Sequence, residues 1–569
     1  MIDGADRTGG MDLGPDRRTF LKQGSVLAGA GLFAPGLLID RRAAPDLVLR
    51  GAFVIDGTGA PGGLADVAIT GDRIIQVGPN LERGVTEIDL RGLVLAPGFI
   101  DIHSHADLNL LAEPRAESRI RQGVTTEVTG QDGSSILWTR DQARSRDEDF
   151  RRRFGTELGF SNLGGFFARL EERPVAVNVA SMVGHGTVRG MVVGFADRPA
   201  TAEELRRMRG LVREGLEQGA VGLSSGLEYT PGTFATREEL AELARELSGT
   251  GYPYASHMRN EDDQLLMAVE EALAVGRLAG VPVQVSHLKA QGRRNYWKAE
   301  LAVQMIAAAN ASGESAHFDR YPYVAYATGL SNLFPGWSRE GGNAAFMNRL
   351  AGDRGDEIRT AARDKVALLG GWDAVQITST GGSTAWARGR KLGELSQERG
   401  EDPLGLTLAL LSQNGGSVGM IGFGMAEENT ERLLADPLAM ICSDGGAYAP
   451  YGPLSGGSPH PRGYGTFPRL LGHYVRDRKA LSLESAVHKV TGMPAAKLQF
   501  ADRGRIAPRM IADLVAFDPD SVADGATFEA PHQYPVGIPH VIVAGRPTIR
   551  DGEQTGELAG RPIRGRLAV

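Results

Sequence analysis

Between Asp46 and Leu95 the chain alternates short apolar runs with glycine turns, in the stretches DLVLRGAFVIDGTG, DVAITGDRIIQVG and TEIDLRGLVLAPG. Apolar residues at alternate positions, bounded by Gly, Asp and Pro, predict strands joined by hairpins. The far C-terminus does the same in ADLVAFDPD (Ala512 to Asp520) and HVIVAGRPTIRDGEQTG (His540 to Gly556). Two strand-rich segments at opposite ends, residues 46–96 and 500–569, predict one small β-sandwich domain built from both termini.

The middle of the chain alternates strand-like and helix-like stretches, the signature of parallel βα units. Apolar strand candidates begin near Phe99, Val124, Val175, Ala220, Tyr252, Val281, Ala316 and Ala439. Between the third and fourth, Thr201 and Glu204 form a capping-box pattern, and Leu205, Met208, Val212 and Leu216 mark one helix face. Eight such units predict an α/β fold, a (β/α)8 TIM-like barrel over residues 97–499 whose reactive groups sit at the C-terminal rim. From about 323 to 407 the interval is too long for one unit and contains GLSNLFPGWSREGG, so it is read as an insertion over the barrel mouth, a lid.

At 569 residues, with 42% hydrophobic and 23% charged, the composition is that of an ordinary globular chain. A net charge of −7 gives no basic footprint for nucleic acid and leaves a small molecule as the expected partner. Cys442 is the single cysteine, which excludes an intramolecular disulfide and Cys-rich metal clusters. At the N-terminus, DRRTFLK (Asp16 to Lys22) precedes the apolar run GSVLAGAGLFAPGLL (Gly24 to Leu38). This resembles a twin-arginine export signal, so residues 1–45 are read as signal and linker, with the export machinery as partner and the periplasm as destination. The run is too short for a stable membrane span.

Candidate chemistry lies at the strand ends. GFIDIHSHAD (Gly98 to Asp107) places His103 and His105 two residues apart, on one face if the strand continues through them. GYPYASHMR ends the fifth strand at His257, VPVQVSHLK ends the sixth at His287, and LAMICSDGG ends the eighth at Asp444. Each alone is compatible with a satisfied structural residue. On a barrel, all five converge on one rim, and imidazole with carboxylate suits zinc best among common divalent ions.

This order of ligand types, with a β-domain from both termini, resembles the amidohydrolase superfamily, and within it the N-acyl-D-amino-acid deacylases (D-aminoacylases). The supporting stretches include QGVTTEVTG, VGHGTVRG, GLSSGLEYTPG, YPYVA, FGMAEEN, PHPRGYGTFPR and FEAPHQYP. The resemblance implies a hydrolase that cleaves N-acyl-D-amino acids with one or two divalent metal ions. It implies His103 and His105 at one metal position, His257 and His287 at the other, and Asp444 contacting metal and moving the proton. It implies that Tyr229 and Arg462 hold the substrate carboxylate, with Lys289 beside them. Where that family carries Asn-Cys-Gly at the end of strand two, this chain reads Gln131-Asp132-Gly133. Asp132 is either the substitute ligand for the missing thiolate or a solvated residue of an Asp-Gly turn.

Two other readings are a cyclic-amide hydrolase of the dihydropyrimidinase type, which needs a bridging lysine, and a non-catalytic exported metal-binding scaffold. His317, His473, His488 and His540 match no ligand position. His185 is either a supporting residue of the site or core packing, and His460 and His532 have no assigned chemistry.

Overall fold

The computed structural model describes residues 44–568, so the twin-arginine segment lies outside the described residues. Eight strands follow one another in parallel: β1 (Phe99–Asp101), β2 (Val124–Thr129), β3 (Asn178–Ser181, continued by Val183–Gly184), β4 (Leu223–Gly226), β5 (Tyr254–His257), β6 (Val283–Val285), β7 (Ala316–Arg320) and β8 (Ala439–Ile441). The ring closes between β8 and β1, where the amide of Asp444 donates to the carbonyl of His103 (2.9 Å) and the amide of His105 donates to the carbonyl of Gly445 (2.9 Å). All eight strands lie within three residues of where the apolar runs begin. The helix between β3 and β4, Ala202–Glu217, starts with both hydrogen bonds of the Thr201–Glu204 capping box and buries Met208, Val212 and Leu216.

The terminal strands form one continuous nine-stranded sheet rather than two separately bonded layers. It branches at Leu47–Val54, one edge of which is shared by Thr86–Asp89 and Val94–Pro97. The two ends of the chain meet where Leu514–Phe517 pairs antiparallel with Val94–Pro97, directly before β1. Leu49, Val67, Ile69, Leu514 and Ile542 share a core there.

The C-terminal segment does more than complete this sheet. Between its strands, Phe528 crosses to the barrel mouth and packs its ring on His460 (5.0 Å between centroids) and Phe423 (4.8 Å). Past the last strand, the amides of Gly560 and Ile563 donate to the carbonyls of Val175 and Val179 (2.8 Å each), at and just before β3.

Between β7 and β8 the insertion carries its own antiparallel sheet of Ala325–Gly329, Gly419–Phe423 and Val375–Ser379. It therefore extends to Phe423, past the expected end near 407. The helix Pro403–Gln413, capped by Asp402, buries Leu404, Leu406, Leu410 and Leu411 and belongs with it. Among the described residues no helix is long and apolar enough to cross a membrane.

Beneath the β8–β1 seam lies a buried charge network. Arg119, fully enclosed, pairs with Glu127 (Nε to Oε1, 2.6 Å) and with Asp101, and donates to the Ser443 hydroxyl (3.0 Å). Asp101 Oδ1 accepts the Ser443 amide (2.9 Å), tying the residue before Asp444 to the residue two before His103. Removing one member of a buried ion pair leaves the other charged and dry. Arg119→Leu, which strips both carboxylates of their counter-charge, is expected to destabilise the fold by ~3–5 kcal/mol, read as a lowered denaturation midpoint. A midpoint equal to that of the unaltered protein would show that the network contributes nothing to stability.

Candidate active site

The C-terminal ends of β1, β2, β5, β6 and β8 bring His103, His105, Asp132, His257, His287 and Asp444 together. The Asp132 carboxylate sits among all four imidazoles: Oδ1 is 3.3 Å from His103 Nε2, and Oδ2 is 3.4 Å from His105 Nε2 and 3.5 Å from both His257 Nδ1 and His287 Nε2. Asp444 Oδ1 lies 3.1 Å from His105 Nε2 and 3.7 Å from His103 Nε2. Two sets of donor atoms result, His103, His105, Asp132 and Asp444 in one, and Asp132, His257 and His287 in the other. Asp132 is common to both.

The local backbone aims these groups. β1 ends at Asp101, so the two histidines lie beyond the strand; the seam bonds to β8 hold them in place, with ring centroids 5.4 Å apart. Asp132, His287 and Asp444 all adopt positive φ (52°, 35° and 49°), a conformation that side-chain-bearing residues seldom hold unless their surroundings impose it. Each turns the chain sharply just past a strand. The Asp-Gly turn after β2 is real, but its carboxylate faces inward. Gly226, at the end of β4, permits this, because a Cβ there would meet the Asp132 carbonyl at 2.1 Å.

The cluster attracts positive charge. Burial alone would raise the pKa of Asp132, yet the imidazoles of His103, His257 and His287 hold it well below the usual carboxylate range. Burial opposes charging of the imidazoles too, but Asp132 and Asp444 raise His105 to about 9, and Asp132 with Glu261 raises His257 to about 10. His103 Nε2 and Asp132 Oδ1 face each other in the interior, and neither has a hydrogen-bond partner among the described residues. The far nitrogens of three histidines face carboxylates: His103 Nδ1 to Asp319 (3.5 Å), His257 Nε2 to Glu228 (3.5 Å) and His287 Nδ1 to Glu261 (3.1 Å). The carboxylates behind these rings lie near them without hydrogen-bonding His103 or His257, while His287 Nδ1 accepts from Lys289, and each ring turns its other nitrogen to a shared point, the direction a bound cation requires. The donor set fits a divalent cation.

Tyr229, Lys289 and Asp444 line one cavity with His257 and His287. The Tyr229 ring lies against that of His257, 4.5 Å between centroids. The ammonium of Lys289 is already engaged, with Glu261 (2.5 Å) and with His287 Nδ1 (2.7 Å). Arg462 donates from Nη1 to Asp444 Oδ2 (2.7 Å) and lies over the Tyr321 ring. It thus contacts the proposed proton carrier itself. His185 bonds through Nε2 to the buried Glu239 (2.9 Å), at the start of the helix after the Tyr229 loop. His460 bonds to the Ala325 carbonyl and accepts the Arg462 amide through Nδ1 (3.0 Å), so it braces Arg462.

Sequence reasoning missed Glu228, Glu261 and Asp319. Asp319 had a weak signal, a carboxylate inside the short strand AHFDR, whose His317 and Arg320 are polar too. Glu261 had none, because NEDD after a strand reads as a solvated helix start.

Residues 86–549 match the amidohydrolase family. The chain belongs to the amidohydrolase family. This amidohydrolase is 37% identical over 519 residues to the D-aminoacylase of Alcaligenes xylosoxydans xylosoxydans, covering 91% of this chain and 97% of that one. A solved D-aminoacylase described with a binuclear metal centre superposes with a TM-score of 0.77 at 37% identity, covering 91% of this chain and all of the other. The N-acyl-D-glutamate deacylase of Bordetella bronchiseptica, solved with zinc and a phosphonate that mimics the tetrahedral intermediate, gives 0.77 at 31% identity, covering 92% and 100%. These relatives place the chain in the N-acyl-D-amino-acid deacylase branch.

Proposed function

We propose that this protein hydrolyses the amide bond of N-acyl-D-amino acids at a centre of one or two divalent metal ions, zinc being the best fit. The observation that carries the reading is the Asp132 carboxylate set among four converging imidazoles, on a chain whose relatives are deacylases of this kind. His103, His105 and Asp444 would hold one ion and His257 with His287 a second, with Asp132 within reach of both sets. A divalent cation bound there supplies Lewis acidity toward the scissile carbonyl and the attacking water.

The protein groups supply the rest. Asp444 takes the proton of the attacking water at Oδ1, the oxygen facing His105, while Arg462 engages Oδ2 and fixes the carboxylate plane. The same oxygen returns the proton to the departing amine. Tyr229, whose phenol burial and Asp132 keep protonated, donates to the developing oxyanion. The remaining guanidinium nitrogens of Arg462 take the substrate carboxylate, with Lys289 adding positive potential from the cavity wall.

The dihydropyrimidinase reading fails on the bridge, since the bridging place holds Asp132 and Lys289 is bound to Glu261 on the far side of His287. A non-catalytic scaffold would have no use for Arg462 braced onto Asp444. For localisation, Arg17-Arg18 ahead of Phe20-Leu21-Lys22 supports export through the twin-arginine route to the periplasm.

Purified protein assayed on N-acetyl-D- and N-acetyl-L-amino acids is expected to cleave the D series, to lose activity on chelation and to regain it with zinc. Cleavage of neither series at any metal loading would sink the reading. Asp132→Ala should lower bound metal by elemental analysis, and full occupancy would return Asp132 to a turn residue. Asp444→Asn is expected to retain metal and lose activity by ~10³-fold or more, and near-normal turnover would exclude it as proton carrier. Arg462→Lys, which removes the planar fork, should raise KM ~10-fold or more, with a smaller fall in kcat; an unchanged KM would remove it from carboxylate recognition.

A further inference from the structure

The stretch GLSNLFPGWSR in the insertion is not explained by its role as a cover. Arg339 donates from one guanidinium nitrogen to Asn332 Oδ1 and from the other to the carbonyl of Glu228 (2.8 Å), the residue before Tyr229. Asn332 Nδ2 donates to Thr328 Oγ1 (2.8 Å). Thr328 Oγ1 in turn donates to the phenol oxygen of Tyr229 (3.3 Å). Asn332 and Thr328 line the same cavity as Tyr229, His257 and Asp444.

The direction of this chain is set at its far end. A guanidinium has only donors and stays protonated. Asn332 must therefore present its carbonyl oxygen to Arg339, which leaves its amide to donate to Thr328. The threonine hydroxyl, having accepted one hydrogen bond, gives its single proton to Tyr229. The phenol oxygen then accepts on its inner side, and its own proton remains free for the cavity.

We infer that the insertion fixes the polarity of Tyr229: Arg339, Asn332 and Thr328 are positioning residues that oblige the tyrosine to act as a hydrogen-bond donor toward substrate. This rests on the deacylase reading above. It gives the lid a second task, because the donor needed for the oxyanion is oriented from outside the barrel.

Asn332→Asp is the discriminating substitution. An aspartate keeps Arg339 paired but has no proton to give, so Thr328 turns to donate to it and accepts from Tyr229, withdrawing the phenol proton from the cavity. In the otherwise unaltered full-length protein, Asn332→Asp is expected to lower kcat/KM ~100-fold, comparable to removing one oxyanion donor. In a Tyr229→Phe background, where no phenol proton is left to misdirect, the same change should cost less than ~3-fold. Thr328→Ser should stay within ~3-fold of the parent, and Thr328→Val, which offers the phenol proton no inner acceptor, should cost clearly less than Asn332→Asp, which separates misdirected polarity from packing. Equal losses from Asn332→Asp in both backgrounds, or no loss in either, would overturn the inference.

The same cycle is read in parallel as calorimetric affinity for a phosphonate analogue of an N-acyl-D-amino acid, whose phosphonyl oxygen stands where the oxyanion develops. Binding without turnover of any N-acyl amino acid would fault the functional reading and leave the affinity cycle to judge the polarity inference. A protein that neither binds nor turns over would overturn both.

Discussion

Closure of the barrel between β8 and β1 is the constraint on which the site depends. Two backbone hydrogen bonds there place Asp444 beside His103 and His105, although the chain between them includes every other strand of the barrel. An open sheet of the same strands would carry the same residues with β1 and β8 at opposite edges. The buried Arg119 beneath the seam links Asp101 to Glu127 and Ser443, so the geometry of the first donor set rests on an ion network as well as on pleated backbone.

Electrostatics at the mouth follow from that closure. A carboxylate enclosed by protein is costly unless positive charge meets it, and Asp132 has four imidazoles around one carboxyl group. Three of those imidazoles, His103, His257 and His287, have Asp319, Glu228 and Glu261 behind them, which increases their demand for a cation in front. Positive φ at Asp132, His287 and Asp444 is the conformational cost of pointing all these groups at one place. The interior is therefore organised around positive charge, which protonated imidazoles supply and which a divalent ion would supply in exchange for their protons.

Much of this was legible in the sequence because the barrel repeats one simple pattern. Several strands begin in a short apolar run, and a polar residue at the end of such a run stands out; His257, His287 and Asp444 were visible for that reason. The capping box at Thr201 was equally local. What was not legible depended on contacts between distant segments. The branching of the terminal sheet, the crossing of Phe528 to the mouth and the inclusion of Pro403–Gln413 in the insertion have no local signature. Asp132 was ambiguous because Asp-Gly is both a turn and a carboxylate, and the structure shows it serving as both. Glu261 was hidden by polar neighbours that made burial look improbable, and Glu228 by its place in the loop between Leu227 and Tyr229. Arg462 was assigned to substrate from resemblance, and only coordinates show that it also contacts Asp444.

The pairing of Leu514–Phe517 with Val94–Pro97 has a consequence for biosynthesis. Pro97 stands just ahead of the strand that leads to His103, and its partner strand is synthesised only after all eight barrel strands. Until then a nascent chain exposes an edge with unpaired amides and carbonyls, a surface open to misassociation. A stop between residues 445 and 513 would remove that partner while sparing every candidate metal ligand, so a full ligand set does not guarantee a paired entry strand.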